Sequence, residues 1–390
     1  MPRVPKAKRV PEKRKRGQRQ EPDSGTGNIF VDFDLLEHAS KRMAPLKPLP
    51  AERPVRVEPL RRSARNAGPA HPSTPVAPTP IPSRFMGIQS HDTTDAPKAK
   101  EHGLKDVPPG KLRWIYWDAT TDRLIIDRGG RIIVILRRGI RGKLADDAAT
   151  AFNDARSKVP AQGSGRRGKH ASSTVGTSLD FGNAKPTTLA GVPDAIQALM
   201  QLLCILSLAK WGSDAFKEHN PNVWGLYDTV ATAVRKIPGV TWNFIGRYAS
   251  VFASATFNLG PRTVTFPHYD GRNLLWGWCV VTALGWFKPK RGGHLILWDL
   301  GLVIEFPPGA SILFPSALIR HSNVKVGRDE TRFSFTQFSS AGLFRWVHNN
   351  GMTDADVEAA IRGDRSAQEA RWEAANTRPQ CGIDSYSCYP

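Results

Sequence analysis

His268 and Asp270 stand two residues apart in the stretch TVTFPHYDGRN (263–273), at the end of a run in which apolar and polar residues alternate. In an extended chain, residues i and i+2 project to the same face. One imidazole and one carboxylate therefore point the same way. His321 follows 53 residues later, in FPSALIRHSNV, after an apolar strand-type run. Arg332 and Ser334 come next as another i, i+2 pair, with Arg332 placed 11 residues beyond His321. Two imidazoles and one carboxylate are the facial ligand set of non-haem Fe(II) oxygenases, which leaves three coordination positions open. Those positions suit a bidentate 2-oxo acid and O2. The planar fork of Arg332 matches the far carboxylate of 2-oxoglutarate with two charge-assisted hydrogen bonds. The Ser334 hydroxyl stands beside it for a third.

Each part has a bland reading. A His-x-Asp pair arises often by chance, and a histidine at a strand end usually makes a structural hydrogen bond. Specificity comes from three ligands and an arginine coinciding in one strand-rich segment. His294, in GGHLILWD, is the competing ligand; its i+2 neighbour is Ile296, which offers the metal nothing. His348 lies past the last strand. Asn273 either shapes the turn after Asp270 or orients the site. The tryptophans at 276, 278, 286 and 298 read as core.

These residues need strands to position them. From Trp242 to about Trp346 the chain breaks into short apolar runs punctuated by Gly and Pro, the pattern of a β-sandwich or barrel. Upstream, KLRWIYWDA and RLIIDRGGRIIVILRRG read as strands, with a hairpin turn at Gly129-Gly130. Residues 146–159 read as a helix and 161–178 as a Gly/Ser loop, either a plain surface loop or one that touches a phosphate backbone. Pro193 opens another helix, with Ile196, Leu199, Met200, Leu203 and Leu206 on one face; a further helix spans 222–237. The Thr353-x-x-Asp356 capping box starts a C-terminal helix.

Residues 1–110 differ in kind. They hold 18 of the 31 prolines, none of the 11 tryptophans, and 21 Lys+Arg against 12 Asp+Glu. Such a segment buries too little apolar surface to offset the entropy of ordering it, and disorder is expected. Within it KAKRVPEKRKR (6–16) is a basic cluster of nuclear-import type, which leads to a nuclear location. NIFVDFDLLEHASKR (28–42) is an isolated helical island, a possible docking motif for a partner. Deleting the tail is expected to spare turnover.

The whole chain of 390 residues carries a formal charge of +20, which favours a polyanion. The first 20 residues lack the apolar centre of a signal peptide, and the apolar run 195–210 is too short and too interrupted to span a bilayer. Four cysteines (Cys204, Cys279, Cys381, Cys388) without CxxC spacing suit a reducing compartment. Nucleic acid is therefore the expected partner, and a membrane is not.

The stretch FNLGPRTVTFPHYDGRNLLWGWCVVTALGWF, followed by GGHLILWDLGLVIEFPPGASILFPSALIRHSNV and ETRFSFTQFSSAGLFRWV, resembles the catalytic domain of the TET/JBP nucleic-acid-base dioxygenases, in particular their fungal transposon-associated branch. The resemblance is dense over 242–347 and extends to about residue 110 with less specific motifs. It implies an α+β chain with a double-stranded β-helix core of jelly-roll or cupin type. The resemblance does not cover 1–109, which stay a disordered basic tail by composition; a helical N-terminal extension (110–240), the core (241–349) and a C-terminal helix with tail (350–390) follow in order. It implies Fe(II) held by His268, Asp270 and His321, and 2-oxoglutarate anchored by Arg332, with O2 as co-substrate. Asn258 and Arg262 would help to hold cofactor or substrate. The implied reaction oxidises the methyl group of 5-methylcytosine in DNA, with the base flipped into the pocket. Three alternatives stand beside it: an N6-methyladenine demethylase with the same iron chemistry, a non-catalytic DNA-binding module, and a protein hydroxylase.

Overall fold

The computed structural model describes residues 25–43, 46, 49, 112–140, 142–160, 170–179 and 183–390. Residues 6–16 and 161–169, and with them the import signal and the basic part of the Gly/Ser loop, lie outside the described residues. In chain order the strands are β1 (Ile29–Phe30), β2 (Arg113–Ile115), β3 (Arg123–Ile126), β4 (Ile132–Arg137), β5 (Ser172–Ser178), β6 (Thr187–Thr188), β7 (Ser254–Asn258), β8 (Cys279–Trp286), β9 (Leu295–Leu297), β10 (Leu302–Ile304), β11 (Ser311–Phe314), β12 (His321–Asn323) and β13 (Thr331–Phe338). The helices are α1 (Leu35–Arg42), α2 (Leu144–Arg156), α3 (Asp194–Leu199), α4 (Leu203–His219), α5 (Pro221–Val234), α6 (Ala341–His348), α7 (Asp354–Ala360) and α8 (Arg365–Asp384).

Two sheets form. The larger runs β1-β3-β4-β11-β8-β13-β7-β5-β6, the smaller β12-β9-β10-β2. From β7 to β13 the chain shuttles between them. β7, β8, β11 and β13 pair in the large sheet, while β9, β10 and β12 pair in the small one. The segment before His268 joins the small sheet through a bridge to His321. This shuttling makes the core a double-stranded β-helix, a jelly-roll arrangement.

Period-2 alternation sorts the side chains of the large sheet. On β7, Ser254, Thr256 and Asn258 line a cavity between the sheets, while Ala255 and Phe257 pack against α2, α3 and α4. On β13, Arg332, Ser334 and Thr336 face the cavity, and Phe333 and Phe335 join the helix side. Each buried Phe contributes about 1.5–3 kcal/mol of apolar transfer. The helix layer thus fixes the strands from behind and leaves the inner face free for polar groups. Gly285 lies opposite Arg332 in the β8–β13 register. Its φ is +114°, and a Cβ there would run into the Thr331 carbonyl, so only glycine lets β13 come this close.

Several expectations hold. β3 and β4 form a hairpin with Gly130 at φ +79°, α2 occupies the helical stretch after residue 143, α5 follows Pro221, and Thr353 and Asp356 complete a capping box on α7. No helix among the described residues is long and apolar enough to cross a membrane.

Four expectations are corrected. The tail is not wholly apart from the fold: β1 pairs in parallel with β3, and Leu35 and Ala39 of α1 are buried. The helical island at 28–42 therefore docks onto its own chain, β1 adding to β3 of the large sheet and α1 packing against α8, and deleting 1–109 would remove β1 and α1. The second half of the Gly/Ser segment is β5, whose Thr and Val residues extend the sheet beyond β7. The single apolar face drawn from Ile196 to Leu206 is split. α3 ends at Leu199 and α4 restarts at Leu203 in a new phase, so Cys204, Ile205 and Leu208 turn inward and Leu203 outward. Trp276 and Trp278 are core, but Trp286 is exposed at the end of β8.

Candidate metal centre

The ligand-bearing segment 263–270 is extended yet is not a full strand. Asn323 holds it in place. Its Oδ1 accepts from the Thr265 amide at 2.8 Å and the Thr265 hydroxyl at 2.9 Å, and its Nδ2 donates to the Thr263 carbonyl at 3.2 Å. One buried amide side chain thus stands in for ladder bonds. Further along, His268 and His321 exchange both backbone hydrogen bonds, at 3.0 and 2.9 Å, and the Asp270 amide donates to the Ser316 carbonyl at 3.0 Å.

These anchors bring the three ligands together. His268 Nε2 lies 3.5 Å from Asp270 Oδ1, and His321 Nε2 lies 3.9 Å from Asp270 Oδ2. One ligand atom from each residue falls within 4.8 Å of the others. The imidazoles are oriented for metal. His268 Nδ1 sits 2.6 Å from the Phe266 carbonyl, and His321 Nδ1 sits 2.9 Å from the Ile319 carbonyl. A carbonyl can only accept, so each Nδ1 carries the hydrogen and each Nε2 presents its lone pair inward. Two Nε2 lone pairs and a carboxylate converging on one point fit a divalent cation. The donor set and the open cavity in front of it suit iron.

Arg332 lines the same cavity, whose volume is about 520 Å³. The guanidinium is buried. It donates from Nη1 to the Thr263 carbonyl at 3.2 Å, and its Nε has no partner. Burial pulls its pKa down to about 10, which still leaves it charged at neutral pH. A buried cation this poorly compensated calls for an anion. A small carboxylate in the cavity meets that demand. Ser334 and Asn258 are directly paired in the β7–β13 register, and Asn258 Nδ2 donates to Ser334 Oγ at 3.1 Å. Asn258 Oδ1 is also 3.4 Å from His170 Nε2.

Of the residues singled out by sequence, His268, Asp270, His321, Arg332, Ser334 and Asn258 line the same cavity. Asn273 lines it too, donating from Nδ2 to Ser316 Oγ at 3.1 Å, so it both shapes the turn and faces the site. Arg262 does not. It lies exposed in the segment after β7 and donates at 2.9 Å to the carbonyl of Arg328, in the turn before β13. His294 is buried with its ring 5.3 Å from that of Trp114 and takes no part in the centre. His348 lies against Arg378. Asn323 and Thr265 were not foreseen. Asn323 stands at i+2 from His321, the same spacing that marks the His268–Asp270 pair, so the signal was present in the sequence.

A second group, Asp122, Glu218 and His219, also gathers possible ligand atoms. Arg137 and Arg138 already neutralise it, with Arg137 Nη1 2.9 Å from Glu218 and Arg138 Nη1 3.3 Å from Asp122. Burial pushes the Asp122 carboxyl up, but hydrogen bonds from His219 and the Arg138 amide, with the Arg137 charge, hold it at about 2. This is an ion-pair network.

No family model and no curated protein matches the chain. Among solved structures, NgTET1 in complex with 5mC DNA is similar at 16% identity, with 59% of this chain and 83% of that one covered and a TM-score of 0.36. A 2OG-Fe(II) oxygenase family oxidoreductase from Burkholderia pseudomallei is similar at 17% identity, covering 52% and 94%, with a TM-score of 0.29. A Pseudomonas putida prolyl-4-hydroxylase is similar at 14% identity, covering 51% and 87%, with a TM-score of 0.30. At such identities the functional reading rests on the chain's own residues.

Proposed function

We propose that this protein is an Fe(II)- and 2-oxoglutarate-dependent dioxygenase that oxidises the methyl group of 5-methylcytosine in DNA. One observation carries the reading: two inward-facing Nε2 atoms, a carboxylate and a buried, under-compensated guanidinium share one cavity. His268, Asp270 and His321 would hold the iron. Arg332 would grip the far carboxylate of 2-oxoglutarate, with Ser334 and Asn258 beside it. Bound iron, O2 and 2-oxoglutarate together supply an oxidant strong enough for an unactivated C–H bond, releasing succinate and CO2.

The chain supplies the rest. The Nδ1–H bonds to Phe266 and Ile319 fix both imidazole rings with Nε2 aimed at the site. The helix layer behind β7 and β13 keeps water from the back of the site. The cavity wall beyond the ligands is rich in hydroxyls and amides, among them Thr174, Ser178, Thr256, Asn273 and Ser340. Such a wall suits the hydrogen-bonding edge of a neutral base. A volume of about 520 Å³ lies within the roughly 300–1,000 Å³ usual for small-molecule sites. A methylated base in a duplex is stacked, so it would have to be flipped to reach the ligands, at a cost of a few kcal/mol. Cationic contacts to the phosphates offset that cost. Residues 111–390 still carry 34 Lys+Arg against 23 Asp+Glu.

Nucleoside mass spectrometry tests the proposal. Purified protein would be incubated with Fe(II), 2-oxoglutarate and a duplex holding both 5-methylcytosine and N6-methyladenine, with the His268→Ala/Asp270→Ala double variant as control. The expected result is 5-hydroxymethylcytosine or a higher oxidation product that the control lacks. Loss of N6-methyladenine alone would replace the substrate. No change in either base, with 2-oxoglutarate unconsumed, would leave a non-catalytic DNA-binding module.

A further inference from the structure

In the ligand turn, His268 and Asp270 face the cavity, and Tyr269 between them faces the other way. The Tyr269 hydroxyl donates to Asp299 Oδ1 at 3.3 Å. Asp299 sits in the turn between β9 and β10, and its Oδ2 accepts from the Arg320 amide at 2.6 Å. Arg320 immediately precedes His321. One carboxylate therefore ties the segment bearing two ligands to the segment bearing the third.

Helix α1 closes over this carboxylate from outside the β-helix. His38 Nε2 is 3.0 Å from the Leu318 carbonyl and 3.6 Å from Asp299 Oδ2. The Arg42 guanidinium lies 3.6 Å from the centre of the Tyr269 ring, a cation–π stack. The helix is itself well anchored. β1 pairs with β3, and Asp127 accepts from the Leu35 amide at 3.2 Å, as Asp34 caps the helix N-terminus. A segment more than 200 residues upstream in the chain is thus pinned at one end to the large sheet and at the other to the ligand turn.

We propose that α1 and Asp299 form a positioning brace for the metal centre: Arg42 on Tyr269, and His38 with Tyr269 and Arg320 on Asp299, hold the His268–Asp270 turn at its working distance from His321. The inference rests on reading those three residues as metal ligands. Outer residues that orient ligands commonly change metal affinity about 10–100-fold when lost. The turn is sensitive because little of its backbone is paired. It lacks a strand's ladder and is held by the backbone pair with His321, the Asp270–Ser316 bond and the Asn273 amide on the Asp270 carbonyl.

The test is an anaerobic Co(II) titration of the full chain, read by the d–d absorption of the bound ion, alongside the melting temperature without metal. Arg42→Ala and His38→Ala are expected to weaken Co(II) binding about threefold to tenfold, and Asp299→Ala by tenfold or more. Arg42→Lys keeps a cation over the ring and should restore the wild-type affinity, an outcome that loss of packing would not give. Because Arg42 and His38 are only half-buried, both Ala variants should fold, and they decide the matter if Asp299→Ala does not. Affinities within twofold of wild type for Arg42→Ala and His38→Ala would overturn the brace. Failure of the metal reading looks different: wild type would give no d–d spectrum, or His268→Ala would bind as tightly as wild type.

Discussion

Replacing Arg332 with Met should move two measurements in opposite directions. Without ligand, the guanidinium is buried, holds one hydrogen bond to the Thr263 carbonyl, and leaves Nε unpartnered. Exchanging a poorly compensated buried charge for an apolar side chain of similar length is commonly neutral or stabilising by about 1–4 kcal/mol. The ligand-free variant should therefore melt at or above the wild-type temperature. With 2-oxoglutarate the sign reverses. The buried arginine would contribute a charge-assisted, bidentate pair, and deleting one partner of such a pair costs about 3–5 kcal/mol. At about 1.4 kcal/mol per decade, the dissociation constant for 2-oxoglutarate should rise about 10²-fold to several thousandfold. Arg332→Lys keeps the charge and loses the fork, so it should fall between. Titration calorimetry with 2-oxoglutarate and an inert divalent metal gives the affinity, and thermal melts give the stability. An affinity within threefold of wild type would refute the anchor. A ligand-free variant that melts well below wild type would refute the account of the buried charge.

Two further predictions concern the supports of the site. Asn323→Ala removes three hydrogen bonds from 263–265 and leaves the Thr265 amide without its partner; we expect about 1–3 kcal/mol of lost stability in urea and about tenfold weaker Co(II) binding, and unchanged Co(II) affinity would show that the staple does not position the ligands. His294 is buried without a partner for either ring nitrogen, and burial pulls its pKa down from 6.5 to about 4. The unfolded chain then binds more protons between these values, so the titration of His294 leaves stability unchanged above about pH 6.5 and lowers it progressively as pH falls toward 4. His294→Phe should flatten this fall by an amount on the order of 3 kcal/mol, seen as a smaller loss of urea midpoint between pH 7 and pH 4.5; parallel losses in the two proteins would contradict it.

The centre itself was legible because its chemistry follows the period of a strand. His268 with Asp270, and Arg332 with Ser334, are each i, i+2 pairs, and side chains so spaced face together wherever the backbone is extended, strand or not. His321 was legible as the one further histidine that ends a strand-type run within reach. The alternation that sends Phe333 and Phe335 to the helices and Arg332 and Ser334 to the cavity is written in the same period. The break between α3 and α4 was not legible, since the apolar spacing continues through it and only packing selects which residues turn inward.

What the sequence by itself determined is therefore the set of groups on the inner face: their types, their order, and which of them point together. What only the tertiary structure decided is which other parts of the chain hold them there. That Asn323 staples 263–265, that Asp299 bridges the two ligand segments, and that α1 reaches Tyr269 are contacts between residues distant in sequence. No periodicity encodes such meetings. They exist because two sheets close on each other and because an isolated apolar stripe at 35–42 lowers its free energy by burial against its own chain.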